Sequence, residues 1–364
     1  MSSAAISGRW AALGLSSEVV EVFFRNELDV WEHSQTLTSS GEGLGAFGKA
    51  IALDGETLAV GAAATDDNDL SVNGYVEVFG FELQKSGNGF VLAWVSQQTL
   101  TPPNDYQDPT KSLQFSMMFG GAVSLAGDSL LVGAGRFDDG RGRVYLFQRQ
   151  NGAWVTTMPT PTIMRGLPDQ DDVNFGQIVV LAGNTIAVAQ PGPGGQPLTM
   201  PVPGRVRFFD LNGQTTYPDL INGVGADNFA DWALALEENT LVVGSVDGLV
   251  VFNNSNGPWA PRMTLTVTKP LNTSVTSPPI TVALAAGTLY VGSWAKAGTV
   301  NVYQSNIAGA WGHIQTLVDP AASGIPPSVV AASGRSVVIA GPTTARVFSH
   351  SGGVDPRPPL PEFL

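Results

Sequence analysis

The residues best suited to chemistry are aspartates grouped in stretches without hydrophobic periodicity. Asp66, Asp67 and Asp69 form one group, and Asp105 and Asp108 a second. Asp138 and Asp139 follow Arg136, while Asp169, Asp171 and Asp172 follow Arg165. Carboxylates so clustered can attract a cation, an amine or a basic protein surface. They equally suit solvated loops in which each aspartate hydrogen-bonds its own backbone, and both readings stay open. A metal at Asp169, Asp171 and Asp172 is the narrowest version. Neighbouring carboxylates in a loop commonly occur without one, so no metal site and no cofactor are expected.

Other chemistries lack raw material. The chain has no Cys and only 3 His, which removes thiolate catalysis and Cys-ligated zinc and leaves little for a Ser-His-Asp triad. His33 and His313 stand at matching places in matching segments, as structural residues do. The glycine-rich stretch around Gly192, Gly194 and Gly195 has no Lys and no following helix, so it reads as a loop rather than a phosphate cradle.

The elements that carry these residues are short. There are 43 Gly and 25 Pro against 13% charged residues, which is turn-rich chemistry, and 43% hydrophobic residues suffice for a core. A net charge of −13 argues against nucleic acid or an anionic membrane surface as partner. No apolar run reaches the roughly 18 residues of a membrane-spanning helix. The opening MSSAAISGRWAALGLSS lacks the order of a secretory signal. The expected location is therefore cytoplasmic, or extracellular if a leader or flanking domains belong to the protein. Two sequons, at Asn253 and Asn272, carry little weight in so short a pattern.

Four signatures recur in fixed order. The first is Phe-Gly opening an apolar run, at Phe47-Gly48, Phe119-Gly120 and Phe175-Gly176, with degenerate copies near Phe229, Ile280 and Ser328. The second is a run ending in Val-Gly-Ala or a close variant, at Gly61, Gly133, Ala189, Gly244, Gly292 and Ala340. The third is Gly-x-Val-x-Val-Phe, led by Gly74, Gly142, Gly204, Gly248 and Gly298. The fourth is Trp-x-x-x-Gln-Thr-Leu, starting at Trp31, Trp94 and Trp311 and decayed at Trp154 and Trp259. Each reads as a strand, and the four, A to D, form a meander.

A weaker copy at the N-terminus, around Ile6 and Gly8, makes seven. The expected fold is an all-β, seven-bladed β-propeller with four-stranded antiparallel blades, a single domain over 1–364. The repeat units are about 1–38, 47–100, 119–160, 175–221, 229–267, 278–318 and 326–350, followed by a Pro-rich tail at 351–364. Phe47, Phe119, Phe175 and Phe229 are expected to be buried, as are Trp31, Trp94, Trp154, Trp259 and Trp311 between blades.

Phe-Gly with Val-Gly-Ala resembles the FG-GAP repeats of the integrin alpha-subunit propeller, and the resemblance covers nearly the whole chain. It implies a propeller fold and leaves the function open, since one fold hosts many functions. The integrin pattern would also imply calcium loops between A and B. Here those turns, such as Leu53-Asp54-Gly55-Glu56, are too short to supply the six to eight oxygens calcium takes.

In such a meander the B–C and D–A connections share one end of the blades, and the A–B and C–D turns the other. The long connections, 63–73, 101–118, 160–174 and 190–203, all belong to the first end; the first three hold acidic groups, and Asp138 and Asp139 lie in a shorter B–C loop at the same end. The expected function is a non-enzymatic scaffold presenting that loop-rich acidic face to a protein or carbohydrate, with a monomer as the default state. The expected contact residues are Asp66, Asp67, Asp69, Asp105, Asp108, Arg136, Asp138, Asp139, Arg165, Asp169, Asp171 and Asp172. The alternative is an enzyme at the mouth of a central channel using Asp and Arg as acid and base. A third reading makes the ring one module of a longer surface protein. The opposite end is expected to hold only tight Gly turns.

Overall fold

The computed structural model describes residues 3–15, 18–40, 46–63, 74–87, 89–103, 118–136, 141–156, 162–166, 174–191, 204–221, 233–245, 248–266, 280–293, 299–306, 309–319, 329–341 and 344–349. Every regular element among them is a strand. They form seven antiparallel sheets in simple meander order, and the fold class is an all-β, seven-bladed β-propeller. The chain divides into two compact units. One covers Ser2–Leu167 and Val173–Val179; the other covers Val180–Leu364 with Pro168–Asp172 and Met1.

In the first unit, blade 1 is β1 (Ser3–Ser7), β2 (Trp10–Gly14), β3 (Val19–Arg25) and β4 (Trp31–Thr38). Blade 2 is β5 (Phe47–Asp54), β6 (Thr57–Ala62), β7 (Tyr75–Ser86) and β8 (Gly89–Leu100). Blade 3 is β9 (Phe119–Ala126), β10 (Ser129–Ala134) and β11 (Arg143–Gln150), and its outer strand is split. Both β12 (Ala153–Trp154) and β13 (Thr162–Arg165) pair with β11, so this sheet has five strands.

In the second unit, blade 4 is β14 (Ile178–Ala182), β15 (Thr185–Gln190), β16 (Arg205–Phe209) and the short β17 (Leu220–Ile221). Blade 5 is β18 (Ala233–Glu237), β19 (Thr240–Ser245), β20 (Gly248–Asn253) and β21 (Ala260–Thr266). Blade 6 is β22 (Thr281–Ala285), β23 (Thr288–Ser293), β24 (Thr299–Ser305) and β25 (Trp311–Val318). Blade 7 is β26 (Val329–Ser333), β27 (Ser336–Ala340) and β28 (Ala345–Ser349), with three strands among the described residues.

The repeated glycines have a steric cause. Each Phe-Gly forms the centre of a four-residue turn closed by Lys49 N–H to Ala46 C=O (3.1 Å), Gly121 to Met118 (2.9 Å) and Gln177 to Asn174 (3.0 Å). The glycines take φ of 82°, 83° and 88°, which a type II turn requires at that place. Their carbonyls then press on the preceding blade. A Cβ on Gly14, Gly61 or Gly133 would lie 1.9, 2.0 or 2.1 Å from the carbonyl oxygen of Gly48, Gly120 or Gly176. Val-Gly in one blade and Phe-Gly in the next are thus two halves of one contact. Where Phe-Gly decays to Phe229-Ala230, the preceding blade carries Ala189 in place of the glycine.

Packing follows the same order. Phe47, Phe119 and Phe175 are 2%, 0% and 0% exposed. In the first unit one core cluster joins Val20, Val22 and Leu37 of blade 1 to Phe47, Leu58 and Val60 of blade 2. A second joins Val76, Val78 and Leu100 to Leu130, Val132 and Phe147. In the second unit, Val242 and Val251 pack with Leu289 and Val291, and Val300 and Val302 with Val337 and Ile339. Trp31, Trp94, Trp154 and Trp259 are buried as expected, and Phe229 lies outside the described residues.

Trp311 departs from expectation and is only partly buried. Trp94 is covered by Trp10 and Phe81 at ring distances of 5.1 and 5.6 Å. The matching places around Trp311 hold Thr240, paired with Asn253, and Ser305, so no ring closes over it.

The C–D turns are mostly capped by a side chain. Asn26 accepts the N–H groups of Leu28 and Val30 at 2.9 and 3.0 Å, and Asn306 accepts that of Ala310 at 3.0 Å. Asp210 accepts those of Asn212 and Gln214 at 2.8 and 2.9 Å. The Gln214 N–H foremost holds the Asp210 carboxyl below its ordinary range. Blade 2 departs from this design, with consequences described below.

Candidate functional site

The ladders fix which connections share an end. In blade 2, Phe47 pairs with Ala62 and Ala62 with Tyr75, while Val76 pairs with Leu100. In blade 3, Phe119, Ala134, Arg143 and Arg165 stand in one row across the sheet. The connections 63–74, 101–118, 135–142 and 166–174 therefore leave the first unit's sheets at that end. In the second unit, Gln190, Arg205 and Ile221 form the corresponding row in blade 4.

Polar contacts concentrate at these row ends, because strand termini and crossovers meet there without a continuing ladder. In the first unit the buried Glu77 accepts the N–H of Ser40 at 3.2 Å, and the Ser39 hydroxyl bonds that of Tyr75. In the second unit Arg346 meets Asp319 at 2.7 Å, with both side chains 7% exposed. Arg205 and Arg207 approach Asp219 at 3.7 and 3.4 Å. Arg346 and Asp319 occupy the blade positions of Glu77 and Ser39, but those two bond Ser40 and Tyr75 instead of each other, so the two seams are closed by different contacts.

Of the expected contact residues, Arg136 and Arg165 are described. Both are exposed, and they sit at the same end of blade 3. Arg165 is in register with Arg143, which is 9% exposed. Asp66, Asp67, Asp69, Asp105, Asp108, Asp138, Asp139, Asp169, Asp171 and Asp172 lie outside the described residues. Among the described residues no cluster of three or more His, Asp or Glu has metal-binding geometry.

The turn-bearing end corrects an expectation, since it is more than a set of tight glycine turns. Turn N–H groups are captured by the preceding blade. Gly55 donates to Ser7 Oγ at 3.0 Å, Gly127 to Asp54 at 2.7 Å and Gly287 to Glu237 at 2.9 Å. Between blades 2 and 3 lies a groove of about 550 Å³, lined by Asp54, Glu56, Thr57, Glu82, Gln97 and Arg149 among others. Arg149 bonds Asp128 at 2.7 Å and Thr57 at 3.2 Å, and lies 5.4 Å over the Trp154 ring. Beside this groove the β7–β8 hairpin extends past its sheet and exposes Leu83, Phe90, Val91 and Leu92. The signal was present in the sequence as an uncharged run over 87–100, but the Trp-x-x-x-Gln-Thr-Leu signature covers only its second half.

Residues 94–147 match the FG-GAP repeat family. That segment runs from β8 of blade 2 through β11 of blade 3, so the repeat unit is offset from the sheet by one strand. No curated protein sequence matches the chain. Solved structures do. A Bacteroides fragilis protein described provisionally as a 6-phosphogluconolactonase is 13% identical, with 87% of this chain and 84% of that chain covered and a TM-score of 0.53. A Bacteroides uniformis protein with the same provisional description is 14% identical, with 87% and 85% covered and a TM-score of 0.54. A Lactobacillus plantarum protein is 12% identical, with 94% and 92% covered and a TM-score of 0.55. At these identities the likeness is one of fold.

Proposed function

We propose that the protein is a non-enzymatic interaction scaffold that presents its loop-bearing, acidic blade ends to a protein or carbohydrate partner. The observation that carries this reading is the strand register. It sets the described ends of the connections 63–74, 101–118 and 135–142 at one end of the first unit's sheets, beside Arg136 and Arg165, and the sequence puts Asp66, Asp67, Asp69, Asp105, Asp108, Asp138 and Asp139 in those connections and Asp169, Asp171 and Asp172 in the one that follows β13. Connections of this length on a rigid β scaffold are where binding residues usually reside. The acidic excess, with 31 Asp and Glu against 18 Lys and Arg, favours a partner with a basic contact surface.

The enzyme reading draws on the provisional description of two structural relatives. A direct comparison separates the two. The full chain is assayed for hydrolysis of 6-phosphogluconolactone and, in parallel, screened against a glycan array and a displayed-peptide library. The scaffold reading expects lactone loss at the spontaneous rate and saturable binding to a peptide or glycan. Lactone hydrolysis well above the spontaneous rate, abolished by heat denaturation, would overturn it.

A further inference from the structure

We infer that this protein forms a two-fold homodimer by antiparallel pairing of the outer edge of β8 with β8 of a second copy. The inference concerns the turn-bearing end and is independent of the partner proposed above.

β7 pairs with β6 only as far as Gly80, opposite Thr57. Beyond that point, Phe81 to Trp94, Leu83 to Leu92 and Lys85 to Phe90 pair with each other alone, as a two-stranded arm. Directly opposed residues share a face, so Phe81, Leu83, Phe90, Leu92 and Trp94 form one apolar stripe. Its base is buried, with Phe81 4.5 Å and Trp94 5.1 Å from the Trp10 ring. Its outer part is bare: Leu83, Phe90 and Leu92 are 59%, 70% and 58% exposed, and Val91 on the other face 49%. An isolated two-stranded ribbon is marginally stable in water, and this one adds exposed apolar surface.

The other outer strands serve as an internal control. β4, β21 and β25 are also the last strands of their sheets, and each has a bulge near its start. Beyond the bulge each keeps a short straight piece: Trp31 to His33 in β4, Ala260 and Pro261 in β21, Trp311 to His313 in β25. Two of them also bear an edge-blocking residue, Glu32 in β4 and Pro261 with Arg262 in β21. In β8 the bulge falls at Gln97, so the straight piece runs from Gly89 to Ser96. The outward N–H and C=O of Trp94 are capped by the Gln35 amide of β4, at 2.8 and 2.9 Å, so the edge open to a partner is Gly89 to Ala93. Residues 87–100 contain no charged residue and no Pro. Over Gly89 to Ala93 this strand thus has a longer straight edge than the others beyond the bulge, with neither charge nor Pro on it.

A second copy is the occupant this edge fits. Antiparallel pairing of a strand with itself is self-complementary and closes as a dimer, without further growth. A net charge of −13 sets copies repelling elsewhere, whereas this edge carries no charge to oppose their approach. The four exposed side chains offer roughly 400 Å² of apolar surface per copy, from typical side-chain areas. With the paired strand edges and flanking residues, this approaches the roughly 800 Å² per partner that stable dimers bury.

The test is sedimentation velocity with the full chain over a range of concentrations, together with the variants Leu92→Lys, Phe90→Lys and Leu92→Pro, the last removing an N–H that faces away from β7. The wild type should show twice the chain mass, dissociating on dilution. Each variant should shift to the monomer mass at the same concentration, with an unchanged circular-dichroism spectrum and melting temperature at least as high as the dissociated wild type. Amide exchange at Phe90 and Leu92, whose N–H groups face away from β7, should be slowed only in the dimer. A wild type that stays monomeric at the highest soluble concentration would overturn the inference. A dimer that survives all three substitutions would overturn it as well. Binding of an extended apolar peptide by a monomeric wild type would assign the edge to a different occupant and also count against it.

Discussion

The smallest features that decide this fold are single atoms of glycine. Gly133 has no room for a Cβ because the Gly176 carbonyl lies where it would point, whereas a Cβ on Gly244 would meet the Ala233 methyl at 3.1 Å. A backbone carbonyl at a blade seam cannot yield as a side chain can. Gly133→Ala should therefore cost on the order of 1–3 kcal/mol, and Gly244→Ala distinctly less, as measured by urea denaturation. Equal costs would contradict the carbonyl contact. Tyr290 gives a second residue-scale test. It is fully buried, its hydroxyl has no protein partner among the described residues, and burial, aided by the nearby Glu237 charge, pushes its pKa up to about 12. In the unfolded chain the phenol ionises near 10, so folding favours the protonated form. Its contribution is fully present below pH 10 and is lost as pH rises toward 12. Tyr290→Phe should flatten the fall in stability across that window, and an unchanged slope would argue against the shift. The glycines were legible in the sequence as a repeat. Their partnership was not, because it joins atoms about 45 residues apart across a blade seam.

The strand is the scale at which the chain can be read most fully. Phe-Gly, Val-Gly, Gly-x-Val and the Trp signature each became a strand, because each combines β-branched residues with a turn glycine at a fixed offset. Decayed copies also formed strands, including β1, which lacks Phe-Gly, and β27, whose glycine stands one place late at Gly341. What remained hidden was the cover on each strand. Trp94 and Trp311 begin the same signature, yet Trp10 and Phe81 cover the first while Thr240 and Ser305 stand near the second. Trp94→Ala should thus cost about 3–5 kcal/mol and Trp311→Ala appreciably less, by thermal or chemical denaturation. A reversed order would mean that Trp311 is buried by contacts other than those described. The β7–β8 arm escaped notice for a related reason. Its alternation matches that of a blade strand, and only pairing beyond Gly80 reveals that no third strand accompanies it.

At the scale of the molecule, seven antiparallel meanders carry short turns, three of which are held by the preceding blade, and the sequence puts its acidic groups in the longer connections of the first half. The acidic character was legible from composition. The arrangement of its aspartates was not, since loop carboxylates carry no periodicity that fixes their neighbours. The scaffold account rests on electrostatic attraction at those connections, and such attraction acts chiefly on the approach of a partner. The most direct test is the association rate of the strongest displayed-peptide or glycan ligand with the wild type and with the combined variant Asp169→Asn, Asp171→Asn, Asp172→Asn. Each is measured at physiological salt and at 1 M, where the Debye length falls from about 8 Å to about 3 Å. The expected result is slower association of the variant at physiological salt and convergence of the two at 1 M, with dissociation and melting temperature nearly unaltered. Association rates indifferent to both salt and the substitutions, with binding lost instead on changing Glu82 or Arg149 at the turn-bearing end, would contradict the account.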